Sequence, residues 1–198
     1  MLESLKSFDQ TIFLFLNGLH CSFLDPVMFY GTLTLTWLPL YLLLLYLVIR
    51  RYKWQSVWII LFAAITILVS DQLSNFVKEW MARPRPTHEP GLTGIHTVYG
   101  YTGGQFAFYS AHASTNLAIA IFLIMMLKNQ YRYFALLILC WAFFRAYTRI
   151  YLGVHYPGDL VAGWLAGALI GWCAGLACTW FVRQKPEKQD KFPAILLF

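Results

Sequence analysis

The stretch Arg149-Ile150-Tyr151-Leu152-Gly153-Val154-His155-Tyr156-Pro157-Gly158-Asp159 joins two long apolar runs and packs an arginine, a histidine and an aspartate into the connection. A turn between two apolar helices needs only small or polar residues, so charged and titratable groups there mark a site for an anion. His155 is the candidate nucleophile of that site. Pro157 suits the first turn of a helix, and Asp159 falls in the same turn, one helical turn beyond His155.

The apolar runs on either side belong to a membrane protein. Of 198 residues, 59% are hydrophobic and only 12% charged, and a mean hydropathy of +0.57 lies far above that of a water-soluble domain. Five runs are long enough to cross a hydrocarbon layer of roughly 30 Å: about Pro26 to Ile49, Trp54 to Val77, Ser110 to Leu127, Tyr131 to Tyr147 and Leu160 to Val182. The expected fold is an all-α integral membrane bundle of five spans, forming a single domain over residues 1–198. Thr11 to Leu19 is too short to span and reads as an N-terminal interfacial helix; it makes a sixth, tilted span if it extends to Phe23. A lone Lys6 flanked by Glu3 and Asp9, with no small-residue cleavage site after the apolar run, argues against a cleaved signal peptide.

Lysine and arginine in short loops are retained on the cytoplasmic side. Arg50, Arg51 and Lys53, then Lys128 and Arg132, then Arg183, Lys185, Lys188 and Lys191 all fall at one end of the predicted bundle, with residues 186–198 a cytoplasmic tail. Arg83 to Tyr109 and Arg149 to Asp159 therefore face the extracytoplasmic side, where their arginines need another reason to exist. The net charge of +6 is split between both ends rather than gathered in a stripe, so the bilayer and its lipids are the expected partners and nucleic acid is not. Cys21, Cys140, Cys173 and Cys178 show no metal spacing and are assigned no chemistry.

Two further segments converge on the same end. Asp71, Ser74 or Asn75, and Lys78 share one helix face, and Pro84 and Pro86 then force Arg83 and Arg85 onto irregular backbone. The glycine-rich stretch from Thr87 to Gln105 reads as a loop over the outer mouth. Ser110 reads as the N-cap of the next helix, and a helix start with free amides suits an anion. Three cations (Lys78, Arg85, Arg149), a hydroxyl and a helix start together fit the several oxygens of a phosphate better than a carboxylate. His112 and His155 supply the nucleophile and the acid that phosphoryl transfer requires. Gly163, Gly167, Gly171 and Gly175 read as a packing stripe. His88 and His96 read as solvated, Arg83 as an auxiliary cation, and Asp71 and Arg145 as an ion pair beneath the site.

Lys78 with six residues to Arg85-Pro86, then Ser110-Ala111-His112, then Arg149 with five residues to His155 and three more to Asp159, together resemble the type 2 phosphatidic acid phosphatase superfamily. The three motifs run from Lys78 to Asp159 in that family's order. The resemblance implies hydrolysis of a phosphomonoester or pyrophosphate through a phosphohistidine, with no metal and no cofactor. By that analogy His155 attacks phosphorus, Asp159 fixes its tautomer and His112 protonates the leaving group, while Lys78, Arg85, Ser110 and Arg149 bind phosphate oxygens. Tyr109 and Ala111 replace the family's usual Pro and Gly, which leaves Tyr109 to shape the substrate entrance.

The expected enzyme is a lipid phosphatase of a bacterial inner membrane, with its site facing outward and undecaprenyl pyrophosphate as first-choice substrate. Phosphatidylglycerophosphate, phosphatidic acid and lipid A carry the same headgroup chemistry. The rival of another class is a transporter or binder of lipid phosphates, which needs the cations but not both histidines.

Overall fold

The structure is a computed structural model that describes residues 2–127 and 131–184, all helix, turn and loop apart from one isolated bridge between Pro84 and Phe106. The expectations for Lys128, Lys185, Lys188, Lys191 and the tail fall outside these residues. Seven α-helices follow in order: α1 Leu2–Gly18, α2 Leu24–Thr32, α3 Leu38–Tyr52, α4 Ser56–Met81, α5 Ala111–Leu127, α6 Phe134–Tyr151 and α7 Pro157–Gln184.

Beyond Asn116, helix α5 is apolar on every face because α4, α6 and α7 surround it. Its contact with α7 is the most extensive between helices among the described residues, and the glycine stripe makes it possible. A Cβ on Gly167 would stand 2.2 Å from the Ser114 carbonyl oxygen, and one on Gly171 would stand 2.2 Å from that of Ala118. The outer surfaces of α3, α4, α6 and α7 expose Leu42, Leu61, Leu68, Leu137, Leu165 and Leu169, as lipid-facing helices do. The helical stretch 35–81, α6 and α7 are each long and apolar enough to cross a membrane.

The first predicted span is not one helix. Helix α2 stops at Thr32, Leu33 is extended, a 3-10 turn covers Leu35–Trp37 and α3 starts with Pro39 in its first turn. Proline cannot donate to the preceding turn, so an uninterrupted helix through Pro39 would lose a bond and clash. Trp37 Nε1 donates to the Gly31 carbonyl at 2.8 Å and seals the break. The break leaves Thr32 buried against α6, where it meets two arginines.

The last turns of α3 and α5 meet at one end of the bundle. Tyr52 donates to the Met126 carbonyl at 2.8 Å, and the Trp58 and Phe181 rings lie 5.0 Å apart. Arg50, Arg51 and Lys53 therefore share an end with the close of α7. At the opposite end α4 stops at a left-handed Ala82, whose N–H returns to Lys78, and Pro84 prevents any continuation. The chain from there pairs Arg83 and Arg85 with Gln105 and Ala107 through backbone bonds and closes over the helix ends.

Helix α1 begins earlier than expected and lies across the α6–α7 turn. Asp9 accepts from the Gly158 N–H at 2.8 Å, the Phe13 ring meets Tyr156 edge-on, and Asn17 donates to the carbonyls of Ile150 and Tyr151. Contacts with that turn at Asp9, Phe13 and Asn17 make it a strap over the site.

Candidate active site

The α6–α7 turn places His155. Gly153 takes a positive φ of 75°, a conformation costly for residues with a Cβ, and the Val154 N–H returns to the Arg149 carbonyl. His155 is thereby turned inward and is 1% exposed. Its Nδ1 lies 3.4 Å from the Asp159 carboxylate, at the long end of hydrogen-bond range. The tautomer that donates from Nδ1 to Asp159 leaves Nε2 with its lone pair.

Asp159 is fully buried and held from several sides. One oxygen accepts from the Tyr156 N–H at 2.9 Å and the other from Arg83 at 2.9 Å, while its backbone carbonyl accepts from the Ser110 N–H. Arg83 also donates to Asp9 at 2.7 Å and lies 4.0 Å above the Tyr156 ring. Arg83 is thus committed to two carboxylates. It holds Asp159 and ties the site to α1, rather than serving as a further cation for a ligand.

Burial, followed by the charges of Arg85, Arg149 and Lys78, pushes the His155 imidazole well below its ordinary value of 6.5. The charges of three cations, from α4, the outer loop and α6, therefore act on one ring. Burial, then Arg149, lowers Arg85 to about 10. The arginines are only partly satisfied. Arg149 donates to the Thr32 hydroxyl at 2.8 Å and to Tyr101 at 3.1 Å, and Arg85 donates to the Phe106 carbonyl at 3.1 Å. One buried N–H group on each, Nε of Arg149 and an Nη of Arg85, has no partner among the described residues. Buried N–H groups that lack an acceptor are what an incoming anion satisfies.

Ser110 caps α5 as expected, its hydroxyl accepting from the Ala113 N–H at 3.4 Å. His112 sits in the first turn of α5 within the field of Arg149, Arg145, His155 and Lys78. Its side chain lines a slot of about 340 Å³ that runs down between α3, α4, α5 and α6. The arrangement offers one histidine oriented by a carboxylate, a second beside a lipid-sized slot, and cations between them.

Three further expectations change. Asp71 and Arg145 both line the slot but do not pair; Arg145 donates to Tyr41, Asn116 and the Thr32 carbonyl, neutral acceptors that reach it deeper in the bundle. Asp71 accepts from Asn75 instead. His96 is not a solvated loop residue, since it meets Asp25 at 2.9 Å and stacks on His20. Tyr109 is 5% exposed, too buried to line an open entrance. Thr32, Tyr101, Asp9 and Asn17 are structural parts of the site that the motifs do not contain. The sequence signals only Thr32 among them, through Gly31-Thr32-Leu33-Thr34, a small and polar interruption of the first apolar run.

A bundle of apolar helices that gathers three cations and two histidines at one end, one histidine on a buried carboxylate, is built as a membrane phosphatase. The chain belongs to the PAP2 superfamily, whose pattern matches residues 57–188. It is similar to a lipid A 4'-phosphatase of Bacteroides thetaiotaomicron, 38% identical over 176 residues that make up 87% of this chain and 77% of that protein. A lipid A 4'-phosphatase of Porphyromonas gingivalis is 30% identical over 86% of this chain and 72% of its own length. Among solved structures, a PAP2-type phosphatidylglycerolphosphate phosphatase from Bacillus subtilis shares the fold, with a TM-score of 0.66 and 22% identity over 92% of this chain and 89% of that one.

Proposed function

We propose that this chain removes a phosphate from an acylated, phosphorylated glucosamine lipid of the lipid A kind, through a phosphohistidine at His155. The observation that carries the chemistry is the His155–Asp159 contact, ringed by Lys78, Arg85 and Arg149. The similarity to two lipid A 4'-phosphatases supports the substrate class ahead of undecaprenyl pyrophosphate.

In this mechanism Arg85, Arg149, Lys78 and the Ser110 hydroxyl take the phosphoryl oxygens and the charge that grows on them. The Nε2 lone pair of His155 attacks phosphorus, and the bond to the leaving oxygen breaks as His112 gives that oxygen its proton. Water then attacks the phosphohistidine, with His112 taking the proton back, and inorganic phosphate leaves. Asp159, held by Arg83 and the Tyr156 amide, stabilises the positive charge that His155 carries between the two steps. The site opens at the end of the bundle opposite Arg50, Arg51 and Lys53, so the reaction belongs at the outer face of a cytoplasmic membrane.

Phosphate release from lipid A in detergent tests this. His155→Ala is expected to lower turnover on the order of 10⁴-fold and His112→Ala by about 10²–10⁴-fold. Vanadate should inhibit and a chelator should not. Wild-type rates in His155→Ala would overturn the phosphohistidine at His155, and a wild type that releases no phosphate would leave only a binding or transport role for the cations.

A further inference from the structure

The slot beside His112 has a feature that phosphate chemistry does not use. Its walls are mostly apolar, with Leu44, Ile67, Ile119 and Trp141 among them, as a lipid chain requires. Yet it is also lined by Arg145 and Asn116, which are 3% and 7% exposed. Arg145 is fixed by bonds from its terminal nitrogens to Tyr41 at 2.7 Å, the Asn116 side-chain oxygen at 3.3 Å and the Thr32 carbonyl at 2.9 Å. Because the Asn116 oxygen is occupied by Arg145, its amide nitrogen is the end left for a ligand. That nitrogen and the Arg145 Nε both lack a partner among the described residues. The Asn116 and Arg145 donors, like the Nε1 of Trp141, therefore belong to residues that line the slot and have nothing to accept from them among the described residues.

A polyprenyl chain cannot accept a hydrogen bond and an ether oxygen is a weaker acceptor than a carbonyl, so either would leave the Asn116 and Arg145 donors unpaired or poorly paired on entering. The carbonyl oxygen of an ester- or amide-linked acyl chain can accept from both, and its tail then fills the apolar wall. We infer that this slot is a subsite for an acyl chain, in which Asn116 and Arg145 bind the linkage carbonyl and select acylated lipid phosphates over polyprenyl and ether-linked ones. The discrimination is of the kind that unpaired buried groups enforce: a ligand that lacks the acceptor is rejected more strongly than size alone would reject it. The subsite lies on the side of His112, so it holds the leaving portion of the substrate, and in this it rests on the catalytic roles proposed above.

The test uses the full-length protein in detergent micelles and two synthetic glucosamine phosphates, one with acyl chains and one with ether-linked alkyl chains of the same length. Wild type is expected to show a kcat/KM at least tenfold higher for the acyl lipid, and Asn116→Leu to bring that ratio to about one. Ile119→Trp, which narrows the slot without touching the donors, should lower kcat/KM for the acyl lipid tenfold or more relative to p-nitrophenyl phosphate, a water-soluble ester that needs no slot. A wild-type ratio near one, a ratio unchanged in Asn116→Leu, or equal losses on lipid and soluble ester in Ile119→Trp each overturn the subsite while leaving the phosphohistidine reading in place. A wild type that hydrolyses neither glucosamine lipid but does hydrolyse a polyprenyl pyrophosphate overturns the subsite and the proposed substrate class together.

Discussion

His155 is buried, and burial with the charges of Arg85, Arg149 and Lys78 favours its neutral ring, the form a nitrogen nucleophile needs before phosphate arrives. Its depressed pKa has a definite sign for stability. Below 6.5 the unfolded chain takes up a proton that the folded ring refuses, so stability is full above that value and falls as pH drops beneath it. For activity the same depression keeps the lone pair available through the neutral range, so the acid limb of kcat/KM lies below 6.5. Arg85 is the first charge among the causes after burial. Arg85→Gln is therefore expected to move the acid limb upward while lowering kcat/KM on the order of 10²–10³-fold, because a donor to the phosphoryl oxygens is also lost. A pH–rate profile of the two proteins decides it; an unmoved limb would mean that Arg85 does not act on His155.

The residues of this cluster were legible because phosphoryl transfer constrains them. A nucleophile needs its orienter one helical turn away, and multiple oxygens need multiple cations. Arg83 was misread because proximity to Arg85 in sequence says nothing of which carboxylate waits for it. Its partners Asp9 and Asp159 lie 74 and 76 residues away, and only the folded strap of α1 brings the first of them near. Arg145 was given Asp71 as partner on the argument that a buried charge demands an opposite charge. The structure satisfies its guanidinium in part with a phenol, an amide and a carbonyl, a solution that neutral groups scattered over α3, α5 and the end of α2 supply only in three dimensions.

Among the elements, α5 and α7 show how a sequence stripe becomes a distance. Their backbones approach until a methyl group at Gly167 would overlap the Ser114 carbonyl, and neither partner is a side chain that can swing aside. The same contact carries the Ser110–Asp159 backbone bond, so separating the helices would also separate the cap of α5 from the first turn of α7. Overpacking of this type costs about 1–3 kcal/mol, and a clash with backbone belongs at the upper end. Gly167→Ala should lower the melting temperature in detergent, and Gly18→Ala, which meets nothing within 4 Å, should not. Equal melting temperatures for all three proteins would refute the close approach. The α2–α3 break was less legible than this stripe. Hydropathy alone runs straight through it, and only Pro39 and the small residues before it mark where a helix cannot continue.

At the scale of the whole molecule, charge is sorted by end in a way that a count of lysines and arginines conceals. The site end contains Lys6, Lys78, Arg83, Arg85 and Arg149, yet Lys6 pairs with Glu89, Arg83 with two aspartates, Lys78 is half-buried, and Arg85 and Arg149 are buried. Arg50 and Arg51 at the other end are exposed. The cations free to bias insertion thus stand opposite the site, and the site end should face away from the cytoplasm. Cys21 is a native reporter of this topology. It is exposed between α1 and α2, and its carbonyl accepts from Tyr151 beside the α6–α7 turn, so it marks the site end. In intact spheroplasts a membrane-impermeant maleimide should label Cys21, and Cys21→Ser should abolish that labelling. Arg51→Cys added to Cys21→Ser should remain unlabelled until the membrane is permeabilised. The reverse pattern would place the site in the cytoplasm, and with it would go any role in removing phosphate from lipids at the outer face.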